Sequence, residues 1–114
     1  MRLTEISKEE AKATFVRKLK DPAVQEMHDL LEYMEVAFAD QWRFTLSIAD
    51  RPDAAVLYCQ NKFYLELGEN DQRMIKMHTQ MIKGAKYALS TTEHWVWDTW
   101  QADAAGTKCY FIRK

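Results

Sequence analysis

Apolar residues recur along this chain with two different periods, and these periods predict where helices and strands form. After Asp21-Pro22 they return every three or four positions, the spacing of one helix face, at Val24, Met27, Leu31, Met34 and Phe38. Aspartate favours the N-cap position and proline the first helical position, so the helix should begin at Pro22. Its other side is acidic, with Glu26, Asp29, Glu32 and Glu35.

Two further segments have the helical period. Asn70-Asp71 can cap a long helix, whose apolar face holds Met74, Ile75, His78, Met81, Ile82, Ala85 and Leu89. Near the N-terminus, a capping box at residues 7–10 begins a predicted helix that continues to Lys20. A short strand is predicted before it, at residues 2–6.

A period of two predicts strands. Trp42, Phe44, Leu46 and Ile48 alternate with polar residues, as a strand with one buried face requires. Residues 95–100 and 108–113 have the composition of two more strands, joined by a turn at 103–106. The segment 54–67 fits either one helix, capped by Asp53 and ended by Gly68, or a hairpin that turns at Asn61-Lys62. Its aromatic and β-branched residues favour the hairpin.

These elements predict an α+β fold, in which a mainly antiparallel sheet packs against two or three amphipathic helices in a single layer of helix on sheet. The predicted order is roughly β-α-α-β-β-β-α-β-β. A chain of 114 residues, with 47% hydrophobic and 29% charged residues, has the size and composition of one globular domain. We therefore expect residues 1–114 to form a single domain.

Charge and the N-terminal sequence narrow the class of protein. The net charge of -1 lacks the basic excess of most nucleic-acid-binding domains, so nucleic acid is not the expected partner. Residues 1–20 lack the apolar region of a signal peptide, and no apolar run is long enough to span a bilayer, which predicts a cytoplasmic protein that does not bind membranes. Cys59 and Cys109 lie among apolar residues outside any CxxC motif, as is typical of buried, reduced cysteines.

Three groups of residues could carry chemistry, but a structural role explains each of them better. His94 and Asp98 could face Cys109 across the last hairpin as a base, an orienting carboxylate and a thiol. His28 and Glu32 have the helical spacing of two metal ligands, without a recognisable third. A soft ion such as copper could bind Met74, Met77, His78 and Met81. The methionines and His78, however, also belong to the predicted core-facing helix, where methionine is a common packing residue. With a structural explanation for each group, the sequence predicts no catalytic residue, no metal site and no cofactor.

Protein binding is the function that the sequence favours, and two surfaces could carry it. Tryptophan is a frequent anchor at protein interfaces, and one predicted strand contains Trp95, Trp97 and Trp100. Regular alternation puts Trp95 and Trp97 on one face and Trp100 on the other, so at least one of them should lie near the surface. The second candidate surface is the acidic helix face, Glu26, Asp29, Glu32 and Glu35. We expect another protein as the partner and leave formation of a homo-oligomer open.

Two other functions compete with protein binding. The predicted order of a short strand, two helices, a three-strand meander, a long helix and a further strand is similar to that of acyl-CoA-dependent N-acetyltransferases. Those enzymes have a glycine-rich Q/R-x-x-G-x-G/A turn before the long helix to bind pyrophosphate; here residues 68–73 contain one glycine and two acidic residues. The resemblance therefore rests on element order alone.

The second competing function is binding of single-stranded nucleic acid. The many aromatic residues of the C-terminal half, which lie among lysines, could stack its bases.

Overall fold

The computed structural model describes residues 21–48, 53–104 and 106–114. In chain order these form helix α1 (Pro22–Phe38), strands β1 (Trp42–Ile48) and β2 (Ala54–Asn61), the one-turn helix α2 (Tyr64–Leu67), the long helix α3 (Gln72–Ser90), and strands β3 (Trp95–Asp103) and β4 (Gly106–Arg113). The strands make one antiparallel sheet in the order β1-β2-β4-β3. The predicted α+β class, with a mainly antiparallel sheet, is thereby confirmed.

The core lies between one face of this sheet and the two long helices. Inward-facing sheet residues such as Leu57 and Phe111 are buried together with helix residues such as Met27 and Met81. On the other face, side chains such as Tyr58 are exposed, and no helix within the described ranges covers them. The helices thus form a single layer, as predicted.

Local capping fixes the start of both long helices where the sequence predicts it. The Asp21 carboxylate accepts a hydrogen bond from the Ala23 N–H at 2.9 Å, and Pro22 occupies the first helical position. The Asp71 carboxylate accepts from the Arg73 N–H at 2.8 Å. These side chains satisfy amide groups that have no partner within the helix.

The two long helices approach each other closely and run in opposite directions. The ring centroids of Tyr33 in α1 and Tyr87 in α3 are 6.0 Å apart. Near the end of α1, the Phe38 ring lies against Gly84, where an added Cβ would be 2.5 Å from two ring carbons. Glycine at residue 84 therefore makes room for the last turn of α1.

The structure differs from the prediction for residues 54–67, where the predicted strand around 63–65 is wrong. Strand β2 continues to Asn61, and the chain then turns, because the Asn61 side chain accepts a hydrogen bond from the Phe63 N–H at 2.8 Å. Helix α2 follows in place of a strand, and Gly68, with a φ of 72°, ends it. The three-strand meander on which the likeness to acetyltransferases depended is therefore absent from the described residues.

Strand β3 contains a β-bulge that regular alternation does not predict. Residues 98–99 lie opposite the single residue Tyr110. The extra residue shifts the alternation, so Trp97 and Trp100 both pair with residues whose side chains are buried against the helices. Trp100 therefore faces the helices, and the prediction that it lies on the opposite face from Trp95 and Trp97 is wrong.

Some predictions concern residues beyond those described. The strand at 2–6 and the helix at 7–20 lie outside the described ranges. Within those ranges, neither long helix combines the length and the apolar character that crossing a membrane requires.

Candidate functional site

An open cavity lies at the end of the sheet where β1 and β4 begin and β2 and β3 end. Its volume is about 620 Å³, within the range of about 300–1,000 Å³ that is usual for small-molecule sites. The first half of α3 forms one wall, the strand ends form another, and α2 lies at the mouth. Six separate elements therefore contribute residues to it.

Three aromatic rings follow one another along the cavity wall. The ring centroids of His78 and Trp100 are 4.9 Å apart, and those of Trp42 and His78 are 6.2 Å apart. Trp42 is buried, whereas Trp100 is 42% exposed. The bulge in β3 is what turns Trp100 toward His78. The row offers a preformed aromatic surface that is anchored in the core at one end and open to solvent at the other.

His78 is held in the middle of this row by Thr107. Its Nε2 atom lies 3.1 Å from the Thr107 hydroxyl oxygen, and Thr107 is itself buried. Burial lowers the pKa of His78 below its ordinary value of 6.5, so the imidazole is neutral at pH 7. At that pH, the pair offers a ligand neutral hydrogen-bonding groups.

A hydroxyl beside an imidazole is also the start of a catalytic nucleophile–base pair, which usually needs a third group to orient the base. Among the described residues, Thr107 is the hydrogen-bond partner of the His78 ring, and no described carboxylate bonds to the other ring nitrogen. The Thr107–His78 pair therefore lacks the orienting carboxylate within the described part of the chain. The arrangement fits binding better than nucleophilic catalysis.

Trp42, which lines the same wall, has one unusual polar group. Its indole N–H is buried, and none of the described residues accepts a hydrogen bond from it. Such an unpaired donor costs about 1–3 kcal/mol of stability, and buried tryptophan N–H groups usually have a partner. This energetic cost belongs to a residue that lines the cavity.

The mouth of the cavity is apolar. Leu65, on α2, is 98% exposed, and Ile75, on α3, is also exposed; both line the cavity, as Trp100 does. Helix α2 buries none of its residues. Filling the cavity would cover these side chains and remove apolar surface from water.

The charges around the cavity balance one another. Arg43 and Lys62 are cationic, Glu69 and Asp103 are anionic, and all four line the cavity. The Lys62 ammonium donates a hydrogen bond to the Ala39 carbonyl at the end of α1, which holds it in place. The lining residues therefore give no strong preference for an anion or a cation.

The thiol, base and carboxylate that the sequence allows at 94, 98 and 109 do not come together. Cys109 pairs with Trp100 in the middle of the last hairpin, whereas His94 precedes β3, and its Nδ1 lies 2.9 Å from a Glu26 carboxylate oxygen. Asp98 lies in the bulge and is exposed. That triad is therefore not assembled.

The two cysteines are buried and free, and they lie on the neighbouring central strands β2 and β4. The neighbouring Cys109 thiol, together with burial, raises the pKa of Cys59 far above its ordinary range. The Cys59 thiol is therefore protonated at neutral pH and does not act as a nucleophile.

Only one of the three tryptophans named as a partner surface offers a large exposed area. Trp95 is 2% exposed, and its indole N–H donates to the Ala23 carbonyl at 2.7 Å, so it belongs to the core. Trp97 is half-buried beneath Lys86, whose ammonium nitrogen lies 5.1 Å from the ring centroid. Trp100 is exposed at the cavity.

The acidic residues of α1 also separate into two groups. The Glu26 carboxylate accepts hydrogen bonds from the backbone N–H groups of Glu93 at 2.6 Å and His94 at 3.1 Å. It therefore ties α1 to the start of β3. Asp29, Glu32 and Glu35 are exposed on the outer side of the helix.

The remaining sequence candidates are distributed as follows. Met74, Met77 and Met81 lie in the core, and within the described ranges no group of three or more His, Cys, Asp or Glu residues is placed to hold a metal ion. The aromatic residues proposed to stack bases are divided between surfaces: Tyr58 and Tyr110 point away from the helices, whereas the tryptophans of β3 point toward them. They do not form one stacking platform.

Sequence reasoning missed the cavity because Trp42, Leu65 and Thr107 had no pattern that distinguished them from core or surface residues. One signal was present: the three-residue spacing of Trp97 and Trp100 interrupts the alternation and can indicate a bulge.

Comparisons with protein-family models, curated proteins and solved structures found no match to this chain.

Proposed function

We propose that this protein binds a small, uncharged organic molecule with a flat ring, in the cavity between α3 and the ends of the strands. The observation that carries the proposal is the aromatic row Trp42–His78–Trp100, which lines a cavity of about 620 Å³ with an exposed apolar mouth. Cavities of this kind, largely apolar with a few polar groups, are the usual small-molecule sites of proteins.

The chemistry of the lining supports this ligand class. A flat ring stacks on Trp100 and on the neutral imidazole of His78. The balanced charges of the lining residues favour a molecule without net charge. Polar groups near the ring, including the Thr107 hydroxyl, suit a ligand that has a hydrogen-bonding atom on its edge.

A thermal-shift and fluorescence screen tests the proposal. The probes are indole, quinoline and a purine nucleoside, each compared with a charged analogue of similar size. We expect at least one neutral probe to raise the melting temperature and to quench tryptophan fluorescence, because a ligand that binds only the native state stabilises it. The charged analogue should have the smaller effect.

Two variants locate the binding site. Trp100→Ala and Leu65→Ser should each lower the affinity for the active probe, and Leu65→Ser should do so without loss of stability, since its side chain is already exposed. Ile112→Ser, on the other face of the sheet, is the matched control and should bind as the wild type does. If no probe binds, or if the three variants bind equally, the proposal is wrong.

Binding of another protein is a second candidate, and the exposure of Leu65, Ile75 and Trp100 favours it. An apolar side chain of a partner could enter the cavity while these residues pack around it. In this case, a partner that the wild type captures in a pull-down should no longer bind to Trp100→Ala or to Leu65→Ser. It should still bind to Ile112→Ser. Retention by all three variants would contradict this second candidate.

A further inference from the structure

The outer side of the helix layer is a second surface with apolar side chains in contact with water. Val36 on α1 is 79% exposed and Tyr87 on α3 is 61% exposed. Tyr33 is exposed beside Tyr87, across the groove between the two helices. Groups of neighbouring exposed apolar residues often mark contact surfaces.

Opposite charges flank this apolar patch. Helix α1 exposes Asp29, Glu32 and Glu35, and α3 exposes Lys76, Lys83 and Lys86, in addition to Arg73, which pairs with Asp71. Among the described residues, none of these three carboxylates and three lysines forms a salt bridge. The Lys86 ammonium also lies over the Trp97 ring, 5.1 Å from its centroid. The helix layer therefore has one acidic ridge and one basic ridge, with apolar residues between them.

We infer that a second copy of this chain covers the patch, with α1 of each copy packed on α3 of the other. A two-fold axis that runs along the groove, parallel to both helices, places the acidic ridge of each copy on the basic ridge of the other. It also brings the Tyr33–Tyr87 pairs of both copies together at the axis. A two-fold axis across the helices would instead stack α1 on α1 and bring like charges together.

The helix directions allow these contacts. Since α1 and α3 run antiparallel within one copy, with Tyr33 beside Tyr87, this symmetry keeps Glu32 within one helical turn of Lys86 of the second copy. Val36 then lies close to the level of Lys83 of that copy. Carboxylates and ammonium groups meet at the edges of the contact, and apolar side chains lie at its centre.

The area is sufficient for a weak but specific dimer. Helix α1 has 17 residues, which corresponds to a length of about 25 Å, and two adjacent helices are about 20 Å wide. Each copy would therefore bury about 500 Å², and the dimer about 1,000 Å², near the lower limit for a specific interface. We accordingly place the dissociation constant in the micromolar range.

Sedimentation velocity at a series of concentrations tests the dimer. The wild type should pass from monomer to dimer as its concentration rises. Reversal of the acidic ridge, by Glu32→Lys with Glu35→Lys, should raise the dissociation constant at least about tenfold, because like charges then face each other. Reversal of the basic ridge, by Lys83→Glu with Lys86→Glu, should have the same effect.

An equal mixture of the two double variants is the decisive sample. Each contact in their heterodimer joins opposite charges, so the mixture should recover the dimer that neither variant forms alone. Glu66→Lys, an exposed charge reversal on α2, is the control and should dimerise as the wild type does. Circular dichroism checks that every variant is folded.

Three results would overturn the inference: a wild type that stays monomeric at all concentrations, charge reversals that leave its dimer intact, or a mixture that remains monomeric. The cavity variant Leu65→Ser should not affect dimerisation. The dimer and the ligand-binding proposal can therefore fail independently.

Discussion

His78 makes the stability of the native protein depend on pH. Burial lowers its pKa below 6.5 in the folded state, whereas the unfolded chain keeps the ordinary value. Below pH 6.5 the unfolded chain therefore binds the proton more readily, and native stability falls as the pH is lowered. We expect His78→Phe, which keeps an aromatic ring between the tryptophans, to lack this component of the acid sensitivity.

Urea unfolding of the wild type and of His78→Phe at pH 7.5 and pH 5 measures the effect. Between pH 7.5 and pH 5, the free energy of unfolding should fall more for the wild type than for His78→Phe. Thr107→Val serves as control, because it removes the hydrogen bond to His78 and leaves the titrating group in place. It should retain most of the pH dependence of the wild type. An identical pH dependence in wild type and His78→Phe would refute the prediction.

Glu26 is the residue that joins α1 to the start of β3. Burial by itself would raise its pKa, but hydrogen bonds from Glu93 and His94 outweigh this effect, and the net pKa is lowered from 4.5. Glu26→Ala leaves two backbone N–H groups without that acceptor and should cost about 1–3 kcal/mol at pH 7. Glu26→Gln keeps one acceptor oxygen and should cost less.

The stabilisation by Glu26 has its own pH window. Since the pKa of the folded state is lowered, the contribution is complete above pH 4.5 and is lost as the pH falls through the pKa of the folded state. Urea unfolding of Glu26→Ala should therefore approach that of the wild type in strong acid. A constant difference from pH 7 to pH 3 would show that the carboxylate charge plays no part.

At the level of secondary-structure elements, the bulge in β3 compensates for the three-residue spacing of Trp97 and Trp100, so that both face the helices. Deletion of Asp98 should leave Thr99 opposite Tyr110 and Trp100 opposite Cys109, so the regular alternation is restored and Trp100 still faces α3. We expect a native-like fold with a loss below about 1 kcal/mol. Deletion of Gln101, in the regular part of the strand, should cost considerably more, because the following residues change faces.

Equilibrium unfolding, with tryptophan fluorescence as the signal, compares the two deletions. The Asp98 deletion should also keep the environment of Trp100, and therefore the affinity for any cavity ligand. If it is as damaging as the Gln101 deletion, the bulge is required by the fold itself and does more than accommodate one extra residue in β3.

The elements that the sequence predicted correctly are those determined by neighbouring residues. The caps at Asp21 and Asp71 and the alternation that begins at Trp42 depend on contacts within a few positions. The segment 63–67 was mispredicted because its aromatic composition favours a strand, while a turn at Asn61 and Gly68 impose a helical turn. The bulge depends on the register with β4, which alternation in one strand cannot reveal.

At the level of the whole molecule, the candidate site is a product of sheet order. Trp42, Leu65, His78, Trp100 and Thr107 come from five elements spread over most of the described chain. They meet because β2 and β4 are neighbours in the sheet and because α3 crosses above the ends of the strands. No local pattern specifies this arrangement, so the sequence could predict the layers of the fold but not the cavity between them.

The same sheet order predicts how the molecule opens. Strands β2 and β4 each pair with two neighbours, whereas β1 and β3 pair with one, and α2 buries no residue. Amide hydrogen exchange measured by NMR should therefore be slowest in β2 and β4, where exchange requires global unfolding. It should be faster in β1 and β3, whose outer amides are unpaired within the described sheet, and fastest in α2. Equal protection of β3 and β4 would mean that the edge is covered in solution, whereas early exchange of β2 would contradict its central place in the core.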